Sequence, residues 1–413
     1  MRRRPAGAPV PGGRGVRPAV GVLPRPGAVD RPRAVPGGRG PRGAGVSAAP
    51  FRLTAAEFTA LARGGGGPAV RVLRAARRSR TLLMIRSIAA APAARPAYEL
   101  LREVRRVAPA AVDRVLDHPS VGAWATRAAL GRGRPEDLAF TAAAAAVRGG
   151  VPVELEFPPA EVFALPSLGV GVGVGLEPLP EVAFGPAVFQ VDVWAGGGVP
   201  AELPVDTAVD LPRLRERVGA AWELLARHDP EVAAEVAEVV RVLTPMPSSP
   251  AGTSSATLAD AYGCVFLSPA PDAETVAVTL AHEAQHSKLA ALTDLFALVE
   301  PDRRAVFYAP WREDPRPAAG LLHGVYAHLG VARFWRGRPG GEVEYARWRS
   351  AALEVAETLL GSGALTAVGV RFVGEVAGVL REWCAEPLPA EALAEAAAEA
   401  ASHRARWEAA HRG

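Results

Sequence analysis

Residues 276–290, VAVTLAHEAQHSKLA, constrain this chain more than any other stretch. They carry His282, Glu283 and His286 in the spacing H-E-x-x-H. Side chains four apart on an α-helix lie one above the other, so two imidazoles can reach one metal ion, with Glu283 beside it. Pro271 and Asp272 supply a helix start, with Asp272 as the N-cap. Val276, Leu280, Ala284, Ala291, Leu295 and Leu298 continue an apolar repeat until Pro301. The histidines fall on the flank of that stripe, where ligands at a pocket wall belong. The competing reading is a pair of surface histidines on an amphipathic helix.

Residues 1–46 hold ten arginines and one acid, with abundant proline and glycine and no periodic apolar run. This composition predicts disorder. The segment carries +9 of a chain total of +4, so the body is about −5 and the basic character belongs to the tail. A basic tail can bind nucleic acid or a membrane surface. Here the bias towards Ala, Gly, Pro and Arg runs through the whole chain, and Lys288 is the one lysine among 47 basic residues. The tail therefore reads as low-complexity coding sequence or an extension from an upstream start, and neither nucleic acid nor membrane is expected as a partner. It lacks the apolar core of a secretory signal. No run of about twenty apolar residues could span a bilayer. Cys264 and Cys384 make neither a disulfide framework nor a cysteine metal cluster, so a soluble, cytoplasmic setting is expected.

The remaining chain predicts an α+β fold, mostly α-helical, with a smaller β-rich middle region and the metal site on the HExxH helix. An N-terminal helical region covers 47–150, with Thr54 capping its first helix and 64–67, GGGG, forming a turn. Period-two patterns with many glycines and prolines begin at 151, and VPVELEF, GVGVGVG, VAFG and AVFQVDVW read as strands. Residues 212–243 read as helix, so 151–245 forms a β-rich insert and a long helix. Within 246–340, YGCVFLS at 262–268 reads as a buried strand leading into the HExxH helix. Residues 341–413 return to helices. The valine–glycine alternation is no dinucleotide fingerprint, because Pro178 and Pro180 interrupt the helix that should follow.

Two histidines do not complete a metal site. Leu289 and Leu292 stand where a metzincin needs glycine and histidine, which removes that class. A gluzincin-type glutamate could be Glu300, Glu342, Glu344 or Glu354, but none sits in a recognisable second motif. His323 begins an apolar helix that also holds Tyr326, Leu329, Phe334 and Trp335; a lone histidine there is more often a core residue than a ligand. His328, five residues on, reads as facing elsewhere and structural. Arg316 lies between Pro315 and Pro317, which hold its backbone extended. Such a fork suits bidentate capture of a carboxylate, and equally an ion pair with Glu313 or Asp314.

Three segments carry a resemblance: LTAAEFTALARGGGGPAVRVLRAARRSRTLLMIRSI at 53–88, AHEAQHSKL at 281–289 and YAPWREDPRPAAGLLHGVYAH at 308–328. In this order they resemble the HExxH-motif peptide-modification proteins found near radical-SAM peptide-maturation genes. Members of that group, the α-ketoglutarate-dependent HExxH enzymes, are peptide β-hydroxylases that use non-haem iron. The resemblance implies Fe(II) held by His282, His286 and His323, with α-ketoglutarate and O2 at the open positions and Arg316 clamping the distal carboxylate of the cosubstrate. It implies a ribosomally made precursor peptide as substrate and a radical-SAM maturation enzyme as a partner. Glu283 would then hydrogen-bond a metal ligand or the substrate peptide. Two alternatives stay open. One is a zinc peptidase or amidase with Glu283 as general base. The other is a non-catalytic module that binds a precursor peptide.

Overall fold

The computed structural model describes residues 19–20, 51–160, 162–172, 175–193, 203–249, 252–301 and 305–412. The disorder expected of 1–46 falls outside these residues, except at β1 (Ala19–Val20), which pairs in parallel with Ser254 and Ser255. The fold is α+β and predominantly helical, with three small sheets.

The N-terminal helices are α1 (Ala55–Ala62), α2 (Pro68–Ile88), α3 (Arg95–Val107), α4 (Pro109–Leu116), α5 (Pro119–Ala129) and α6 (Leu138–Gly149). Thr54 and Glu57 form a reciprocal capping box at the start of α1. Pro68, Pro109 and Pro119 each open a helix at its first position, where the missing N–H costs nothing. Ile85, Leu101, Val104, Val112 and Leu138 pack a core of their own between α2 and α6.

A meander of β2 (Val162–Leu165), β3 (Gly169–Val172) and β4 (Gly175–Pro178) follows. Then come β5 (Glu181–Phe184), β6 (Ala187–Val191), α7 (Leu211–His228), α8 (Pro230–Val239), β7 (Val242–Pro245), β8 (Ser254–Ala256) and β9 (Cys264–Leu267). The six-stranded sheet runs β1-β8-β9-β7-β6-β5, with β9, β7 and β6 mutually parallel. Two expectations are corrected. Residues 151–157 form no strand; Val151, Val153 and Leu155 alternate against the helical core, but their backbone has no ladder partner. The helix expected over 212–243 breaks at Asp229, whose side chain caps α8, and Val242–Pro245 is a fully buried central strand.

The HExxH helix is α9 (Ala273–Leu295), and Asp272 accepts from the Thr275 amide as its N-cap. It ends at Leu295, so Leu298 lies beyond it, and every residue from Val276 to Leu292 is buried. It is a central helix wrapped on all sides, and the reading as an amphipathic surface helix is wrong. After it come β10 (Val306–Phe307), β11 (Arg316–Pro317), α10 (Ala318–Trp335), α11 (Glu342–Gly361), α12 (Ala367–Cys384) and α13 (Ala390–Ala410). The main core joins α1, α2, α7–α12 and the large sheet around α9. Among the described residues no helix is long and apolar enough to cross a membrane, and Cys264 and Cys384 are free thiols.

Candidate metal centre

His282 and His286 stand on one face of α9 with ring centroids 4.7 Å apart, nearly perpendicular. Two further imidazoles from α10 flank them: His328 lies 5.2 Å from His282, and His323 lies 5.7 Å from His286. The later α9 residue meets the earlier α10 residue, so the two helices cross antiparallel. His328 does not face elsewhere, as the sequence suggested; it completes a cluster of four imidazoles. Five residues separate His323 from His328, which on a helix places them about 140° apart, so they straddle the α9 pair.

His328 Nδ1 lies 2.8 Å from the Gly324 carbonyl. A carbonyl only accepts, so Nδ1 carries the proton and Nε2 keeps its lone pair, the arrangement of a ligating histidine oriented by a backbone group. The ring stacks on Trp311 at 4.2 Å and lies against Trp348 at 4.7 Å. A side chain at Gly324 would meet the Trp311 indole, with a Cβ only 2.5 Å from Cζ2, so glycine there lets the indole lie against α10.

The environments of His282, His286 and His328 disfavour charge. Burial, then the neighbouring His328, pushes His282 well below its usual value; burial and the imidazoles of His282, His323 and His328 do the same to His286. Burial takes His328 down to about 4. Neutral imidazole is the form that ligates. Among the described residues His282 Nε2 and His286 Nδ1 are buried without a hydrogen-bond partner. Their donor chemistry fits a metal ion. The set does not close on its own, however: among the described residues no three His, Cys, Asp or Glu groups converge as a ready ligand shell.

A cavity of about 20 Å³ opens beside the pair, lined by His282, His286, His328, Trp311, Arg312 and Arg316, with Gly320 and Gly324 behind. Arg316 is in β11, paired with Phe307, so its backbone is extended as the flanking prolines require. Its Nη1 donates to Asp314 at 2.9 Å, and Arg312 Nε donates to the other Asp314 oxygen at 2.9 Å. Burial pushes the Asp314 carboxyl up, but the hydrogen bonds from Arg316 and Arg312 outweigh it and hold the carboxyl below its ordinary range.

Glu283 points another way. It is wholly buried, Ser255 on β8 donates to its Oε1 at 2.7 Å, and it is not among the walls of the histidine cavity. Burial raises it to about 7 against the lowering effect of hydrogen bonds from Ser255 and Thr257.

The structure thus brings His282, His286 and Arg316 of the residues singled out from sequence to one cavity, sets His323 against His286 but not on the cavity's walls, and sets Glu283 apart. Trp311, Arg312 and His328 were missed. The WREDPR run held a signal for one of them, because two arginines around a single aspartate exceed what one ion pair needs. No protein-family model matches the chain, and no curated protein matches it.

Proposed function

We propose that the chain is a non-haem iron oxygenase that takes α-ketoglutarate and O2 and hydroxylates the β-carbon of residues in a ribosomally made peptide. The observation that carries this reading is that Arg312 and Arg316 line the same cavity as the HExxH histidines, each of which has one buried nitrogen without a hydrogen-bond partner. Imidazoles facing fixed cations suit a metal that shares its coordination sphere with an anionic cosubstrate. His282 and His286 hold the metal. His323 is the third ligand that the family resemblance implies, and His328, with its Nε2 lone pair set by Gly324, is the other imidazole beside the pair. Bound iron, with the cosubstrate and O2, supplies the C–H oxidation.

The protein's part is positional. Arg316 and Arg312 orient carboxylate groups, at the expense of their present contacts with Asp314. The cavity has room for a group of about water size, so a dicarboxylate is admitted only when the segment 311–316 moves outward. Trp311 and Trp348 fix the His328 ring and keep water away from it. A cytoplasmic setting and a radical-SAM maturation partner belong to the same proposal.

A zinc peptidase is the second reading, favoured by Glu283, whose carboxyl near 7 suits a general base. Its orientation towards Ser255 disfavours that role. The test is anaerobic reconstitution with Fe(II), then O2, α-ketoglutarate and a precursor peptide, with His282→Ala as control. Succinate that depends on Fe(II) and His282, with one oxygen added to the peptide, supports the oxygenase. A shortened peptide under Zn(II) without succinate replaces it with the peptidase.

A further inference from the structure

A second cleft lies between the N-terminal helices and the six-stranded sheet, outside the histidine site. Its outer part, about 290 Å³, has Arg74, Arg78, Arg114 and Arg241 on its walls against Asp113 and Asp117. An inner chamber of about 20 Å³ shares Arg74, Arg78, Asp117, His118 and Arg241 with it and is closed by Tyr262.

Much of this charge is already paired. Arg74 Nε donates to Asp117 at 2.8 Å and its Nη1 to Glu238 at 2.9 Å, while Arg78 donates to both oxygens of Asp117. Three polar atoms are not paired. His118 Nε2, Arg241 Nε and the Tyr262 hydroxyl are buried without a hydrogen-bond partner among the described residues, and all three residues line the inner chamber. Arg241 is braced from behind, its terminal nitrogens donating to the carbonyls of Ala237 at 3.1 Å and Glu238 at 2.7 Å. His118 is 5% exposed, and Ser120 Oγ lies 2.7 Å from its Nδ1. The hydroxyl can donate there, which leaves Nε2–H as a donor into the chamber.

The outer wall carries an independent mark. Ser167 is the one described residue other than glycine with a positive φ, 66°, and it lines the outer part. Its carbonyl accepts from Gln190 Nε2 at 3.0 Å and from Arg148. Such a backbone is sparsely populated and persists where its surroundings hold it, commonly at ligand clamps.

Three donors on the walls of one chamber, one of them cationic, lack an acceptor, while the carboxylates of Asp117 and Asp260 on the same walls are held by Arg74 and Arg80. Native proteins fill such places with a ligand, an ion or water. The inner chamber admits a group of about water size, which suits the tip of a planar carboxylate better than a tetrahedral phosphate, and the outer part accommodates the rest of a larger molecule. We propose that this cleft binds a carboxylate-bearing ligand, a small organic acid or an acidic side chain of a peptide, with Arg241, Tyr262 and His118 receiving the carboxyl group. The assignment does not depend on the iron reading.

The test is calorimetric titration of the full chain with succinate, with acetyl-Glu-Glu-amide and with inorganic phosphate, repeated on His282→Ala to remove binding at the histidine site. One of the carboxylates binds the native chain and His282→Ala alike. The compound that binds more tightly identifies the source, free acid or peptide. Tyr262→Phe weakens that binding about ten-fold or more, the worth of a hydrogen bond to a charged group, and does not lower the melting temperature, because its hydroxyl has no partner to lose. Arg241→Met abolishes binding; if that variant fails to fold, Tyr262→Phe decides alone. No binding of either carboxylate, loss in His282→Ala, indifference to Tyr262→Phe, or tighter binding of phosphate overturns the proposal.

Discussion

Lys288 is the chain's one lysine, and α9 buries it to 2% exposure. Its Nζ donates to the carbonyls of Gly64 and Gly65 at 2.9 Å each and to Glu235 Oε2 at 2.5 Å, so its three protons have three acceptors. Burial pulls the ammonium below its usual value, and Glu235 opposes that effect. Lys288→Met keeps the stem and removes the charge. Glu235, 7% exposed, then retains the Gly67 amide at 3.2 Å and loses its cation, while Gly64 retains Gln285. Removing one member of a buried pair leaves the other charge uncompensated and costs about 3–5 kcal/mol. Neutralising both members removes that penalty, so Lys288→Met with Glu235→Gln returns to within about 1–2 kcal/mol of the native chain. Urea unfolding of the four members of the cycle measures this through the midpoint at unchanged slope. A single mutant within about 1 kcal/mol of the native chain, or a double mutant no better than Lys288→Met, refutes the argument that this pair joins the HExxH helix to the 64–67 loop.

Arg316→Met raises the KM for α-ketoglutarate about ten-fold or more while metal content stays unchanged, and Asp314→Asn lowers it by freeing both guanidiniums; steady-state kinetics and metal analysis check the pair. His118 titrates at about 4 in the fold because burial outweighs the attraction of Asp192, against 6.5 when unfolded. The unfolded chain therefore binds the extra proton between these values, so this stability is complete above pH 6.5 and is lost as pH falls towards 4, by about 3 kcal/mol; His118→Gln flattens that part of the stability–pH curve. Gly324→Ala destabilises by about 1–3 kcal/mol by driving its Cβ into the Trp311 indole, visible as altered near-ultraviolet dichroism and weaker metal binding.

What the chain revealed before folding was local. Thr54 with Glu57, and Asp272 before the HExxH helix, are caps whose partners lie three residues away, so the sequence contains the whole interaction. The strand Val242–Pro245 was hidden because a run buried on both faces has no alternation and continues the apolar pattern of α8. Residues 151–157 misled for the opposite reason: they alternate against the helices, but whether a ladder partner exists is decided elsewhere in the chain. The site divides the same way. The histidine pair was legible from its four-residue spacing. His328 was not, because its role follows from how α10 crosses α9, and Lys288 stood out only as a count.

The crossing also explains what α9 carries. A helix buried from Val276 to Leu292 tolerates polar side chains only where each finds a partner. Glu283 Oε1 accepts from Ser255 on β8, Gln285 donates to the Gly64 carbonyl, and Lys288 donates to Gly64, Gly65 and Glu235, while Glu283 Oε2 and Gln285 Oε1 are left without a hydrogen bond among the described residues. Each thereby joins α9 to a neighbour. His282 Nε2 and His286 Nδ1 make no hydrogen bond among the described residues, and both residues line the cavity that holds Arg312 and Arg316. A buried unsatisfied group costs about 1–3 kcal/mol, so leaving the two imidazole nitrogens without a partner in adjacent turns is expensive unless another interaction offsets it. A cation coordinated by both nitrogens would offset it, and two guanidiniums around the single Asp314 carboxylate would favour a cation that arrives with an anion. That preference separates the two proposed catalytic readings: an oxygenase brings a dicarboxylate to the arginines, whereas a peptidase needs Glu283 at the metal, and here Ser255 donates to its Oε1 from the sheet.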